Sequence, residues 1–381
     1  MWIYLIIFCI PVVFFFVNKK TINRSTHFLF LYLLFLALFV GFSDMLGGYD
    51  RYIYGELFDD LADTIQRGSD ISDSAVFFLY RKEIGYAWIN LLIAQFTANR
   101  YIFILIVTLI VYILTFSSML KYTNRSPLII VLFMGLWFFF TFTYLRQVLA
   151  ASICWLSIRY VIDRKPVPFF LLILFSSSIH NSAIIFSLTY FIPLRKLSRK
   201  TVVLIMSLCL LFGLLGMGIV FEQYSTLMDA EQRAAKYIED ASGFRFAYLF
   251  EAIVFLAFIL CRYDEIDEKN KTQVEMLNLS LTFCAILLLF VKSENGGRLS
   301  WFFMMGLISI LSYLATRSNK ISFYNISLIG ICVILYIRIL LGWNIMLYPY
   351  KTFLSNGSRE GDFIHMIYEY DNRYDNNKFY R

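Results

Sequence analysis

The sequence predicts an all-α, polytopic membrane helix bundle of about 11–13 spanning or re-entrant segments. Three observations carry that expectation. Of 381 residues, 59% are hydrophobic and only 16% are charged, against roughly 25% charged in soluble domains. The apolar residues arrive in long blocks that a water-soluble core of this size could not hide. Basic residues fall mostly in the short loops between those blocks. An ordinary soluble enzyme is therefore excluded. A net charge of +7, from 34 basic and 27 acidic groups, dispersed over loops also argues against a nucleic-acid partner.

The first block, Met1 to Val17, has no basic start and no small-residue cleavage site, and Lys19, Lys20 and Arg24 follow it. That pattern reads as an uncleaved signal anchor. A crossing helix needs about 20 apolar residues. Blocks near that scale come next at Phe28 to Ser43, Tyr101 to Leu120, Leu128 to Tyr144 and Gln147 to Ile162. Pro168 to Ile179 and Ser182 to Leu194 are each short for a full crossing and read as tilted helices or a re-entrant hairpin. The series closes with Thr201 to Phe221, Phe244 to Cys261, Val274 to Val291, Leu299 to Ala315 and Ile321 to Leu341.

Orientation follows from the preference of Lys and Arg for cytoplasmic loops. The loops Asn18 to His27, Lys121 to Arg125, Arg164 to Lys165, Arg195 to Lys200 and Arg317 to Lys320 all fall on that side if Gly85 to Asn99 does not cross. Asn90 and Gln95 interrupt that segment, as in an interfacial or re-entrant helix. The acid-rich loop Arg262 to Lys271 joins the same side by parity alone. Residues 1–341 then form one polytopic domain, its external loop running from Asp44 to Ile84, and 342–381 form an extramembrane tail. Glu222 to Gly243 is external too. From Asp44 to Ile84 nine acidic residues face four basic ones, a net of −5.

Each of the six cysteines sits in or beside a different apolar stretch, so they read as small buried hydrophobes rather than a disulfide or metal framework. No P-loop, GxGxxG, HExxH or GxSxG pattern is present, and neither a metal nor a cofactor is expected.

Four groups of unusual residues converge on the external face in this topology. Asp50 and Tyr52 follow Gly47 and Gly48 where the second span meets the loop; such residues suit sugar and suit a membrane interface equally. Glu83, Tyr86 and Asn90 share one face if their segment is helical, as in a binding site or a plain amphipathic helix. Arg146 and Gln147 stand between a pair of apolar runs, and a guanidinium there is suited to phosphate or to snorkelling toward headgroups. His180 stands between two apolar half-helices, with a side-chain type fitted to proton transfer. Glu294 and Arg298 join that layer, where Arg298 could equally be an interfacial anchor.

Taken in order, these features resemble the EpsG family of bacterial exopolysaccharide proteins, grouped with Wzy-type O-antigen and capsule polymerases. The resemblance runs from about Asp44 to Arg298: Asp50 and Tyr52; Glu83-Ile-Gly85-Tyr86 with Asn90; Tyr144-Leu-Arg-Gln147 with Ala150; Arg164-Lys165; Ser178-Ile-His180-Asn-Ser182; and Arg298. It implies a metal-independent glycosyltransferase that polymerises undecaprenyl-pyrophosphate-linked oligosaccharide repeat units on the outer face of the bacterial cytoplasmic membrane. Chain-length regulators and a flippase are the expected partners, beside membrane lipid. On this reading His180, Arg146, Arg298 and Glu83 are catalytic, with His180 as base and Glu83 orienting it or the acceptor. Asp50, Tyr52, Tyr86, Asn90, Gln147 and Glu294 bind substrate. A polysaccharide-lipid flippase and a membrane acyltransferase are the alternatives.

Overall fold

The computed structural model describes residues 1–17, 26–44, 46–216, 243–293, 295–317 and 321–354. In chain order its helices are α1 (Trp2–Val17), α2 (Thr26–Phe42), α3 (Tyr49–Gln66), α4 (Ala75–Leu79), α5 (Ile84–Ala94), α6 (Arg100–Tyr122), α7 (Leu128–Leu136), α8 (Phe140–Thr143) and α9 (Leu145–Ile162). They continue with α10 (Pro166–Ile179), a 3₁₀ helix (Asn181–Phe191), α11 (Arg199–Leu214), α12 (Phe246–Cys261), α13 (Lys271–Leu289), α14 (Asn295–Ser300), α15 (Met304–Thr316), α16 (Phe323–Gly342) and α17 (Asn344–Leu347). Among the described residues the only β pairing is a single bridge between Ser43 and Thr352. Helices dominate because hydrocarbon cannot hydrogen-bond a backbone, so each segment must satisfy its own N–H and C=O groups. Five stretches, Arg100–Tyr122, Leu145–Ile162, Lys271–Leu289, Gly296–Thr316 and Phe323–Gly342, are long and apolar enough to cross a membrane, and shorter apolar helices accompany them.

Two compact units divide the chain. Unit 1 comprises Met1–Ser157, Val167–Ile184 and Ser318–Arg381. Within it α2 packs along α6, α16 along α7, and α3 lies across α6 and α5. The loop Asp44 to Ile84, read above only as an external segment, thus carries an 18-residue helix. Its apolar positions Tyr54, Leu57, Phe58, Leu61, Ala62 and Ile65 follow helical spacing. At its start Arg51 is fully buried and donates to the carbonyls of Val40, Ser43 and Phe142 at 3.0, 3.0 and 3.2 Å.

Beyond α16 the chain turns back onto unit 1. Tyr4 donates to the Leu347 carbonyl at 2.9 Å, Tyr350 stacks on Phe39, and Lys351 pairs with Asp44 at 2.9 Å, both side chains buried. Residues 355–381 of the expected tail lie outside the described residues, as do 222–242 of the external segment before α12.

Unit 2 comprises Ile158–Pro166 and Ile185–Arg317. Its central helix α13 packs against α11, α12 and α15, closely enough that a Cβ on Gly213 or Gly306 would collide with α13. At one end Lys196 donates to the Ile266 carbonyl at 2.8 Å, Arg199 pairs with Asp264 at 2.6 Å, and Arg317 donates to the Glu265 carbonyl at 2.9 Å. The acid-rich loop thus shares an end with two basic loops, the arrangement the basic-loop topology requires.

Helix α5, with 11 residues, rises only about 16 Å, too little for a hydrocarbon layer of about 30 Å. Its Trp88 and Leu92 face outward while Tyr86 and Asn90 face the protein, the reverse of a helix in water. The cysteines only partly meet expectation: Cys154, Cys284 and Cys332 are buried, but Cys9 and Cys261 are exposed on apolar helices. A small hydrophobe is as soluble in lipid as in a core, so an apolar stretch does not dictate which way its cysteine points.

Candidate active site

Three chain breaks in unit 1 build the site. Glu83 precedes the first turn of α5 and closes a tight turn, its N–H donating to the Tyr80 carbonyl at 2.8 Å. Arg146 is the second residue of α9, where Tyr144 interrupts the helical run from α8. His180 directly follows α10, its N–H donating to the Ser176 carbonyl at 3.0 Å, and the chain then tightens into the 3₁₀ helix. A 3₁₀ run of 11 residues is far longer than the usual three or four. It climbs about 22 Å at ~2.0 Å per residue, which lets a short segment travel far. The break at its start leaves the Asn181 N–H without a helical acceptor.

Gly85 joins two of these breaks. A Cβ there would collide with Ser178, so a glycine is required for α5 to begin against the end of α10. That close approach brings Glu83 to His180.

The Glu83 carboxylate is the hub. Its Oε1 accepts from His180 Nδ1 at 3.0 Å and from the Asn181 N–H at 2.9 Å. Its Oε2 pairs with Arg146 Nη1. The Arg146 guanidinium lies 4.5 Å from the Tyr80 ring centroid, 5.7 Å from Tyr54 and 5.8 Å from Tyr86, within cation–π range. Burial would raise the Glu83 pKa. The hydrogen bond from His180, the charge of Arg146 and the Asn181 N–H outweigh it and hold the carboxyl below its usual range. Burial also pushes the phenols of Tyr54, Tyr80 and Tyr86 upward, against the pull of Arg146, so the three remain neutral.

An ionised carboxylate only accepts hydrogen bonds. Histidine facing it through Nδ1 therefore carries a proton there, so in the neutral ring Nε2 is the nitrogen that holds the lone pair. This is the orienting logic of an acid–histidine dyad. Arg146 also hydrogen-bonds Tyr54, and with five N–H bonds it keeps donors to spare beyond that phenol and the Glu83 carboxylate.

Of the sequence-chosen residues, Glu83, Arg146, His180 and Tyr86 come together. Asp50 lies close enough to act electrostatically on Tyr54 and Tyr80. Asn90 is buried one turn after Tyr86 and donates to its carbonyl at 2.8 Å. Gln147, beside Arg146, is buried. Tyr52 lies elsewhere: its ring sits 5.4 Å from the Arg100 guanidinium, which bonds Asp59 at 2.7 Å. Two residues along a helix rotate a side chain by about 200°, so Tyr54 faces the site and Tyr52 faces α6. Arg298 is exposed on α14 of unit 2, and Glu294 lies outside the described residues. The sequence does not mark out Tyr54 and Tyr80, since two tyrosines among 26 carry no local signal. The helical spacing of α3 was the available signal for Tyr54.

A family model, described as the EpsG family, matches residues 26–352, a stretch that holds every residue of this hub. No curated protein and no solved structure matches the chain significantly.

Proposed function

The chain belongs to the EpsG family and is a polysaccharide-related membrane protein; from that premise we propose that it polymerises undecaprenyl-pyrophosphate-linked oligosaccharide repeat units. The observation that carries the proposal is the Glu83 hub, which presents His180 Nε2 as a base beside a guanidinium with unused donors. In this reading the acceptor hydroxyl of one lipid-linked repeat unit attacks the anomeric carbon of the growing glycan. The new C–O bond forms as the bond to the pyrophosphate oxygen breaks, and the electron pair leaves with undecaprenyl pyrophosphate. His180 takes the hydroxyl proton at Nε2, and Glu83 stabilises the resulting imidazolium. Arg146 stabilises charge on the departing pyrophosphate. Attack opposite the leaving group inverts the anomeric centre.

The site faces outward from the bacterial cytoplasmic membrane in this proposal, with chain-length regulators and a flippase as partners. The deciding experiment compares lipid-linked glycan in cells with and without the protein. Single repeat units accumulating on the outer leaflet support the polymerase. Accumulation on the inner leaflet would make the protein a flippase and the hub a gate. A missing acyl group on glycan of normal length would make it an acyltransferase.

A further inference from the structure

Three tyrosines surround the Arg146 guanidinium, and the mechanism above gives them no task. Each comes from a different short element: Tyr54 from α3, Tyr80 from the residue that ends α4, and Tyr86 from the first turn of α5. Their rings also meet one another, Tyr86 lying 5.2 Å from Tyr80 at 85° and 5.9 Å from Tyr54 at 65°. All three are buried. The Tyr80 ring is the closest wall, 4.5 Å from the guanidinium carbon. The Tyr54 hydroxyl adds a hydrogen bond, which it accepts because a guanidinium only donates.

These walls are tied to each other and to Glu83. The Asp60 carboxylate on α3 accepts from the Ala75 N–H at 2.7 Å and pins the start of α4. Phe77 meets Trp88 edge to face at 5.9 Å and joins α4 to α5. The Glu83 N–H bonds the Tyr80 carbonyl at 2.8 Å, so one tight turn delivers an aromatic face and a carboxylate to the same guanidinium.

An arginine held by a carboxylate alone keeps much of the freedom of its long stem, whereas rings set around it fix the guanidinium as well. Neutral rings also hold a cation without cancelling its charge, as a second carboxylate in their place would. The contact is strongest where water is excluded. Yet the side chains of Arg146 and His180 keep 21% and 23% of their surface exposed, so neither is sealed away from a substrate. Tyrosines that served only to fill a core would gain nothing from a charge among them, since burying one is costly.

We propose that Tyr54, Tyr80 and Tyr86 are positioning residues, a neutral cage that fixes the Arg146 guanidinium to receive the pyrophosphate departing in the transfer. The cage rests on the polymerase reading for the identity of that anion. Donors held in place before charge develops need no reorganisation when it does. Loss of a wall therefore lowers kcat and weakens hold on the released pyrophosphate, with little change in repeat-unit KM.

The test uses full-length protein in nanodiscs and inorganic pyrophosphate as probe, with affinity read by titration calorimetry. Arg146→Ala defines the part of the binding that belongs to this site. Polymerisation in proteoliposomes supplies kcat and KM, and unfolding temperature is measured beside them. Tyr80→Leu is expected to weaken pyrophosphate about tenfold and to lower kcat by a similar factor, while Tyr80→Phe, which keeps the ring, loses far less. Tyr54→Phe keeps its ring and deletes one hydrogen bond, so a several-fold loss in both is expected. Wild-type kcat and pyrophosphate affinity in Tyr80→Leu would overturn the cage. If Tyr80→Leu does not fold, the same result in Tyr54→Phe overturns it. Equal losses in Tyr80→Phe and Tyr80→Leu would overturn it too, because the ring face would then not be what holds the cation. Absence of any pyrophosphate binding that depends on Arg146 has the same consequence. If the wild type makes no polymer while pyrophosphate affinity follows the ring at position 80, the polymerase reading falls and the cage stands.

Discussion

Glu83→Gln is the sharpest perturbation of this site, because it preserves shape and removes only charge and acceptor capacity. The carboxylate serves three donors: His180 Nδ1 and the Asn181 N–H on one oxygen, Arg146 on the other. An amide has one oxygen and one NH₂ group. If the oxygen stays with His180 and Asn181, the NH₂ meets the Arg146 guanidinium, donor against donor. If it turns, the NH₂ faces His180 Nδ1, and the ring must shift its proton to Nε2, where the base is needed. Removing one partner of a buried pair costs about 3–5 kcal/mol; Arg146 keeps 21% of its side chain exposed, so the lower end applies. Loss of general-base function lowers the rate by about 10²–10⁴. The assay is polymer formation from lipid-linked repeat units in proteoliposomes, with thermal unfolding measured in parallel. In a His180→Ala background, Glu83→Gln should cost little further activity if Glu83 acts through the histidine. Near-wild-type polymerisation by Glu83→Gln, or costs that multiply in the double variant, would refute the orienting role.

Gly85→Ala should destabilise the protein by about 1–3 kcal/mol through overpacking and reduce polymerisation by separating Glu83 from His180; Ser178→Gly in the same chain should restore both, checked by unfolding temperature and glycan length. The depressed Glu83 pKa gives a signed pH dependence: its stabilising contribution is complete above the ordinary carboxylate value of about 4.3 and fades as pH falls through the lower folded value. In Arg146→Gln burial regains weight, so that acid transition should move to higher pH in unfolding scans. Asp44→Ala removes the carboxylate paired with buried Lys351 and should cost about 3–5 kcal/mol, whereas Asp44→Leu with Lys351→Met should cost less. In a variant lacking exposed Cys9 and Cys261, Ser69→Cys should label from outside the cell while Asn124→Cys and Ser198→Cys should not. Outside labelling of Ser198→Cys would reverse the orientation.

Much of this protein is legible in its sequence because the governing quantities are local. The length of each apolar block sets whether a helix can cross, and loop charge bears on its direction; α1, α2, α6, α9, α12, α13 and α16 all stand where those blocks fall. An ionisable group among apolar residues is expensive enough to be conspicuous, which marks out Arg146 and His180, while Glu83 is marked by its helical spacing to Tyr86 and Asn90. Only the tertiary structure decided how they are used. Glu83 and His180 lie 97 residues apart, and no periodicity pairs them. Their meeting depends on α5 starting against the end of α10, where Gly85 leaves room beside Ser178. The choice of Tyr54 over Tyr52 likewise depends on which face of α3 meets α6. Hydropathy and charge act along the chain, but helix partners are selected by close packing between distant surfaces, and that selection assembles the site.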